Sequence, residues 1–189
     1  MKHATYNRWS IFLHWLMLLL FVLAYALIEL RVLFDKGTPQ RDLMKSLHFS
    51  VGLAIFVLVW LRLIARTLTP APAIIPAPPA WQRAAAALVH LLLYAFMIGQ
   101  PLLGWLVLSA AGKPVPFFGL TLPPLVAMDK PFAGTLEELH QTIGTFGYGL
   151  IGVHALAALV HHYVQKDNTL RRMLPSGRGR GAPSDAHGA

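Results

Sequence analysis

The sequence predicts an all-α fold, an integral membrane four-helix bundle, and three observations predict it. Of the 189 residues 56% are hydrophobic and only 13% charged, with a mean hydropathy of +0.54, values of a chain whose outer surface meets lipid rather than water. Four apolar segments, residues 9–28, 47–64, 84–111 and 143–163, are each long enough, or nearly so, at about 1.5 Å per residue to cross a hydrocarbon core of about 30 Å. Backbone groups in lipid have no water to bond with, so each segment must satisfy them internally as a helix, and four successive spans make an antiparallel bundle.

The first segment follows Lys2 and Arg8 and resembles a secretory signal in that respect. It is about twice the usual apolar length, contains His14 and runs to Glu29 and Arg31 without a small-residue cleavage site, so it reads as a retained span. Thr38-Pro39 reads as a cap followed by proline at the first helical position, which starts the second helix outside the membrane. Residues 69–80 hold five prolines and no glycine, the composition of an extended, stiff strap on the cytoplasmic side. Gln100-Pro101 is expected to kink the third helix and free a backbone carbonyl. The connection 112–130, with Pro114, Pro116, Phe117, Phe118, Pro123 and Pro124, is apolar enough to lie as a lid over the outer end. Thr135 with Glu138 three residues on forms a capping-box pattern that would begin the fourth helix just before His140. Residues 1–175 are read as one domain, and 176–189, rich in Gly, Arg, Ser and Ala, as a disordered cytoplasmic tail.

Lys and Arg fall unequally on the two sides. Lys2, Arg8, Arg62, Arg66, Arg83, Lys166, Arg171, Arg172, Arg178 and Arg180 lie on one, and Arg31, Lys36, Arg41, Lys45, Lys113 and Lys130 on the other, ten of the sixteen against six. The richer side is expected to be cytoplasmic, with both termini there and the chain in a bacterial inner membrane. The basic tail suits an anionic membrane surface, and no nucleic-acid role is inferred. With no cysteine, disulfides, iron-sulfur clusters and thioether-linked haem are all excluded.

Four of the nine histidines, His14, His48, His140 and His154, lie inside or at the mouths of the apolar segments, where an imidazole needs a partner. His140 and His154 are 14 residues apart, which on a helix sets them on nearly one face, roughly 21 Å apart along the axis. Gly147 lies midway on that stripe, with no side chain to block a flat macrocycle. Gly144 and Gly52 sit one turn after His140 and His48 and clear space beside them. The pattern suggests two stacked haems, held non-covalently. Both axial nitrogens of one iron must share a depth in the bilayer, and His48, three residues after Lys45, matches His140, two after Glu138. On the inner side His14, His90 and His154 compete for two positions; the stripe favours His154, and spacing leaves His14 and His90 unseparated. A histidine that only bonds one helix to another is the competing reading for each residue alone, and a bare zinc site would need a tighter cluster.

The stretch from His154 through His161-His162-Tyr163, Lys166-Asp167-Asn168-Thr169 and Arg172 to Pro175, with His14-Trp15 near the start, the proline strap and Gly119-Leu120-Thr121, resembles the bacterial cytochrome b561 family. The likeness runs from about residue 6 to residue 175 and is closest to small di-haem members that act as superoxide:ubiquinone oxidoreductases. The resemblance implies His48 and His140 as ligands of an outer haem b, and His14 and His154 as ligands of an inner one. It leaves His90 near the inner haem without ligating it, bonded to a propionate or close to a quinone site.

An iron with two histidine ligands has no open position, so its work is one-electron, outer-sphere transfer, with ubiquinone as the expected lipid-soluble partner and superoxide as a suitable donor. Arg31, Lys36, Arg41 and Lys45 are candidates for steering an anion to the outer mouth, although Glu29, Asp35 and Asp42 among them reduce the local excess to one charge. Arg62 and Arg66, with Arg8, are candidates to offset the propionates of the inner haem, and Lys45 or Arg41 those of the outer one. Two alternatives remain: a haem b electron-transfer subunit docked to a dehydrogenase or hydrogenase as its redox partner, and a haem-free membrane transporter.

Overall fold

The computed structural model describes residues 5–175. Four helices dominate it: α1 (Arg8–Leu30), α2 (Pro39–Thr67), α3 (Ala80–Ala110) and α4 (Lys130–Tyr163), each long and apolar enough to cross a membrane. At 1.5 Å per residue they measure from about 35 to about 51 Å, so every one extends beyond a hydrocarbon core of about 30 Å. The expected tail at 176–189 lies outside the described residues.

Local chemistry fixes the helix starts. The Asn7 side chain accepts from the Ser10 N–H at 2.7 Å and caps α1. Its amide also donates to the Thr69 hydroxyl at 2.7 Å, tying the inner ends of α1 and α2 together. Thr38 is extended and Pro39 opens α2 as anticipated, but the Thr38 hydroxyl donates to the Asp35 carbonyl instead of capping the helix. The start of α4 differs from expectation. Asp129 caps it by accepting from the Phe132 N–H at 3.0 Å, and Pro131 falls in the first turn, where a missing N–H costs nothing. Thr135 is therefore inside the helix, its hydroxyl on the Pro131 carbonyl, and His140 lies eleven residues past the cap rather than at the helix mouth.

The connection between α3 and α4 contains structure that helical patterning does not reveal. Strands β1 (Val115–Phe117) and β2 (Leu120–Leu122) pair antiparallel, Val115 opposite Leu122 and Phe117 opposite Leu120. Phe118 and Gly119 form the two-residue turn with φ of 45° and 88°, the positive pair that matches the twist of a tight hairpin. Val115 is 1% exposed between Leu53 and Leu108, and the Phe118 N–H donates to the Ser50 hydroxyl at 3.1 Å. The segment is a lid folded onto α2, two residues from His48.

The core joins α1, α2 and α3 through Met17, Ala24, Val51, Ile55, Val59 and Met97. α1 packs closely on α2, and α3 on α4, while α4 makes little close backbone approach to α1 or α2. Two helical hairpins thus stand against one another with α4 held off by side chains.

At the inner end the proline strap is clamped rather than free. Asn168 accepts from the Ile75 N–H at 2.8 Å and donates to the Ala73 carbonyl at 3.2 Å, and the Arg172 guanidinium donates to the Pro72 carbonyl. The same segment holds α1, because the Trp15 indole donates to the Met173 carbonyl at 2.8 Å and the Tyr6 N–H to the Arg172 carbonyl at 3.0 Å. Asp167, buried, organises the turn by bonding His161 and the Thr169 N–H. Burial alone would raise its carboxyl, but the bonds from His161 and Thr169 outweigh burial and hold it below the usual carboxylate range. A depressed folded-state value makes this contribution complete above the unfolded value of about 3.9 and removes it as pH falls through the folded one. Asp167→Ala should therefore loosen the clamp by about 2 kcal/mol. Limited proteolysis at neutral pH checks this, with faster cleavage within residues 69–80 in the variant and similar loosening of the parent only in acid.

Candidate functional site

The imidazoles meet in pairs. His48 on α2 faces His140 on α4 with ring centres 6.3 Å apart, and His14 on α1 faces His154 on α4 at 6.2 Å. With a metal–imidazole bond of about 2.0 Å and a ring nitrogen about 1.1 Å from its centre, imidazoles on opposite sides of one metal stand roughly 6 Å apart. Both separations fit that span. His90 on α3 also approaches His154, but at 5.4 Å, shorter than a shared metal would hold them. No group of three or more His, Asp or Glu suited to a bare metal ion occurs among the described residues.

Each ring has a different second contact. The Ala24 carbonyl can only accept, so His48 Nδ1, 2.8 Å away, carries the proton and leaves the Nε2 lone pair for a metal. On the facing side, His140 Nδ1 is buried without a partner, and its ring packs on Gly104 of α3, where an added Cβ would lie 3.2 Å from Cε1. Gln100 donates to the His140 carbonyl at 2.6 Å, which ties α3 to the ligand-bearing turn of α4. Pro101, which follows it inside α3, has no N–H to give the Met97 carbonyl one turn back.

At the inner level Arg62 Nη2 lies 3.0 Å from His14 Nδ1. A guanidinium only donates, so Nδ1 accepts and Nε2 carries the proton. An imidazole that gives Nε2 to a metal holds its proton on Nδ1, and Arg62 would then need another acceptor. Carboxylates at the edge of a haem are such acceptors, and the cavity is built for anions. Among the described residues its walls include Arg62, Arg66 and Arg172 with the hydroxyls of Tyr94 and Thr169, and no Asp or Glu. Arg172 Nε is buried there without a hydrogen-bond partner, and the Tyr94 hydroxyl stands beside Arg62. The residues therefore fit the group. Arg8, the other proposed counter-charge, does not line this cavity.

The outer cavity, about 300 Å³, is bounded by His48, His140, Gly52, Gly144, Tyr25, Glu29, Arg31 and Tyr148 among others. Gly52 opens onto clear space, as expected; over Gly144 the Gln100 amide stands where a Cβ would be 3.0 Å away. Gly147 departs from expectation: a Cβ there would lie 2.3 Å from Tyr25 Oη and 2.4 Å from Phe96 Cζ. The space it clears is filled by side chains of α1 and α3 that separate the two levels. Tyr25 donates to the Gly144 carbonyl at 2.7 Å and Tyr148 to Glu29 at 2.9 Å. Of the basic residues at this mouth, Arg31 lines the cavity, Arg41 donates to the Phe34 carbonyl at 2.8 Å, Lys45 pairs with Asp42 at 3.2 Å, and Lys36 is exposed.

Sequence reasoning missed Gln100, Gly104, Tyr25, Tyr148, Thr169 and Arg172 as site residues. The Asp167 to Arg172 stretch carried a signal, polar residues directly after a span, but its fold back under α1 depends on contacts distant in sequence.

The chain matches the prokaryotic cytochrome b561 family over residues 5–176. It is similar to cytochrome b561 homolog 1 of Escherichia coli K12, 41% identical over 170 residues that cover 90% of this chain and 97% of that protein. A probable superoxide oxidase, CybB, of Yersinia pestis is 39% identical over 177 residues, 94% of this chain and 99% of that one. Cytochrome b561 homolog 2 of E. coli K12 is 32% identical over 130 residues, 68% and 69% of the two chains. With four apolar helices and imidazoles facing one another inside the bundle, the chain belongs to the prokaryotic cytochrome b561 family of haem b membrane electron-transfer proteins.

Proposed function

We propose that the protein is a di-haem cytochrome of the bacterial inner membrane that oxidises superoxide at the outer face and reduces ubiquinone, with both termini in the cytoplasm. The observation that carries this reading is the two imidazole pairs at iron-bridging separation, 6.3 and 6.2 Å, about 21 Å apart along α4. His48 and His140 hold the outer haem, and His14 and His154 the inner one. The similarity to a probable superoxide oxidase supports the choice of donor.

Two bis-histidine haems supply one-electron, outer-sphere chemistry at two depths. The residues supply the rest. The Ala24 carbonyl fixes the tautomer of His48, Gln100 and Gly104 set the height and lean of His140, and the inner guanidiniums offset negative charge in a low-dielectric site. For the lipid-soluble acceptor, an apolar cavity of about 460 Å³ lies between the strap and α3–α4, walled by Ile74, Trp81, His90, His154 and His161. In the balanced reaction two superoxide anions lose one electron each and leave as two oxygen molecules. One quinone takes both electrons and two protons to become the quinol.

Purified, haem-supplied protein should bind two haems per chain with a b-type reduced-minus-oxidised spectrum and should reduce ubiquinone when supplied with superoxide. Absence of a b-type band ends the cytochrome reading in favour of a transporter. Two haems without superoxide-dependent reduction moves the function to an electron-transfer subunit that docks on a larger dehydrogenase or hydrogenase.

His140→Ala should remove one haem of the two, halving the pyridine haemochrome yield. Gly104→Leu, which pushes a side chain into the His140 ring, should do the same with every histidine intact. Retention of both haems in each variant refutes the outer ligand assignment.

A further inference from the structure

Resting on the di-haem reading above, we infer that the charge built into the two cavities makes the inner haem the stronger electron acceptor, and that Arg62 is the residue that chiefly sets this gradient. The two sites share one ligand type, paired imidazoles, so the ligands give no reason for one iron to hold an electron better than the other. The walls differ. Among the described residues, Arg62, Arg66 and Arg172 line the inner cavity without any carboxylate, whereas Glu29 and Arg31 are the only formal charges lining the outer one and cancel. Each haem brings two propionates. Counting them, the inner site carries three positive charges against two negative, and the outer site a balanced pair plus two negative. Reduction adds one negative charge to an iron centre, and a site with net positive surroundings favours it.

Arg62 is the strongest of the three by position. Its Nη2 is 3.0 Å from the His14 ring, whereas Arg66 is exposed at the cavity edge and Arg172 is already engaged with the Pro72 carbonyl. A guanidinium keeps its charge at any working pH, so the bias is permanent. On the outer side Glu29 opposes reduction and is held at the cavity by Tyr148. Electrons entering from outside therefore run downhill to the inner site, beside the apolar cavity that shares His90, His154, Thr169 and Arg172 with it.

Potentiometric titration of the haem-loaded protein, read by the b-type absorbance, tests the proposal independently of turnover. Wild type should show two midpoints at least about 59 mV apart, the one-electron equivalent of a tenfold preference. His140→Ala, which retains the inner haem, should titrate at the higher of the two. Arg62→Gln should lower the higher midpoint and leave the other in place, with Arg62→Lys close to wild type. A remaining haem in His140→Ala that titrates at the lower midpoint, or an Arg62→Gln protein with both midpoints unmoved, overturns it. Should Arg62→Gln fail to take up the inner haem, Arg66→Gln and Arg172→Gln replace it, and the order read from His140→Ala decides. A wild-type protein with fewer than two haems removes the di-haem reading, and this inference falls with it; two haems with the reverse order removes the inference alone.

Discussion

An imidazole inside an apolar bundle has no water to bond with, and the rest of this structure is arranged around giving four such rings something to face. His14 meets His154 and His48 meets His140 across a gap where α4 stands away from α1 and α2. The haem b of this family would supply what the helices do not, apolar area to pack and a metal for facing imidazoles. That demand fits a bundle in which α1 packs on α2, α2 on α3 and α3 on α4, while α4 stands away from α1 and α2. It also explains small residues where they occur. Gly104 admits the His140 ring, Gly52 leaves the outer cavity open, and Gly147 admits Tyr25 and Phe96 between the levels.

The two ends of the bundle are finished differently. Outside, the hairpin of β1 and β2 folds onto Ser50 and Leu53 and covers α2 close to His48. Inside, the segment from Asp167 to Met173 turns back beneath α1 and pins the strap through Asn168 and Arg172. One segment thereby bonds the N-terminal approach, the span that carries His14 and the connection from α2 to α3. Arg172 and Thr169 lie in the wall between the charged inner cavity and the apolar cavity beneath the strap.

The family and the geometry reach the same chemistry by separate routes. The match over residues 5–176 establishes haem b electron transfer as the family's chemistry without saying which side chains hold the iron. The ring separations and the His48 bond to Ala24 are compatible with a metal held between each facing pair.

The sequence by itself determined the four spans, the lack of any cysteine for a thioether-linked haem and the depth match of His48 with His140, since hydropathy, cysteine content and the 100° step of a helix are local quantities. It missed the start of α4, where Asp129 and Pro131 outcompete the Thr135 pattern, and the short hairpin, whose strands are three residues each. Only the tertiary structure separated His14 from His90 by geometry, because ring separation depends on how far each helix stands from α4 rather than on position along the chain. It alone gathered Arg62, Arg66 and Arg172 into one cavity and put Tyr25 and Phe96 over Gly147. Those meetings join residues as many as 140 positions apart, as His14 and His154 are, a distance at which pattern along the sequence carries no information about contact.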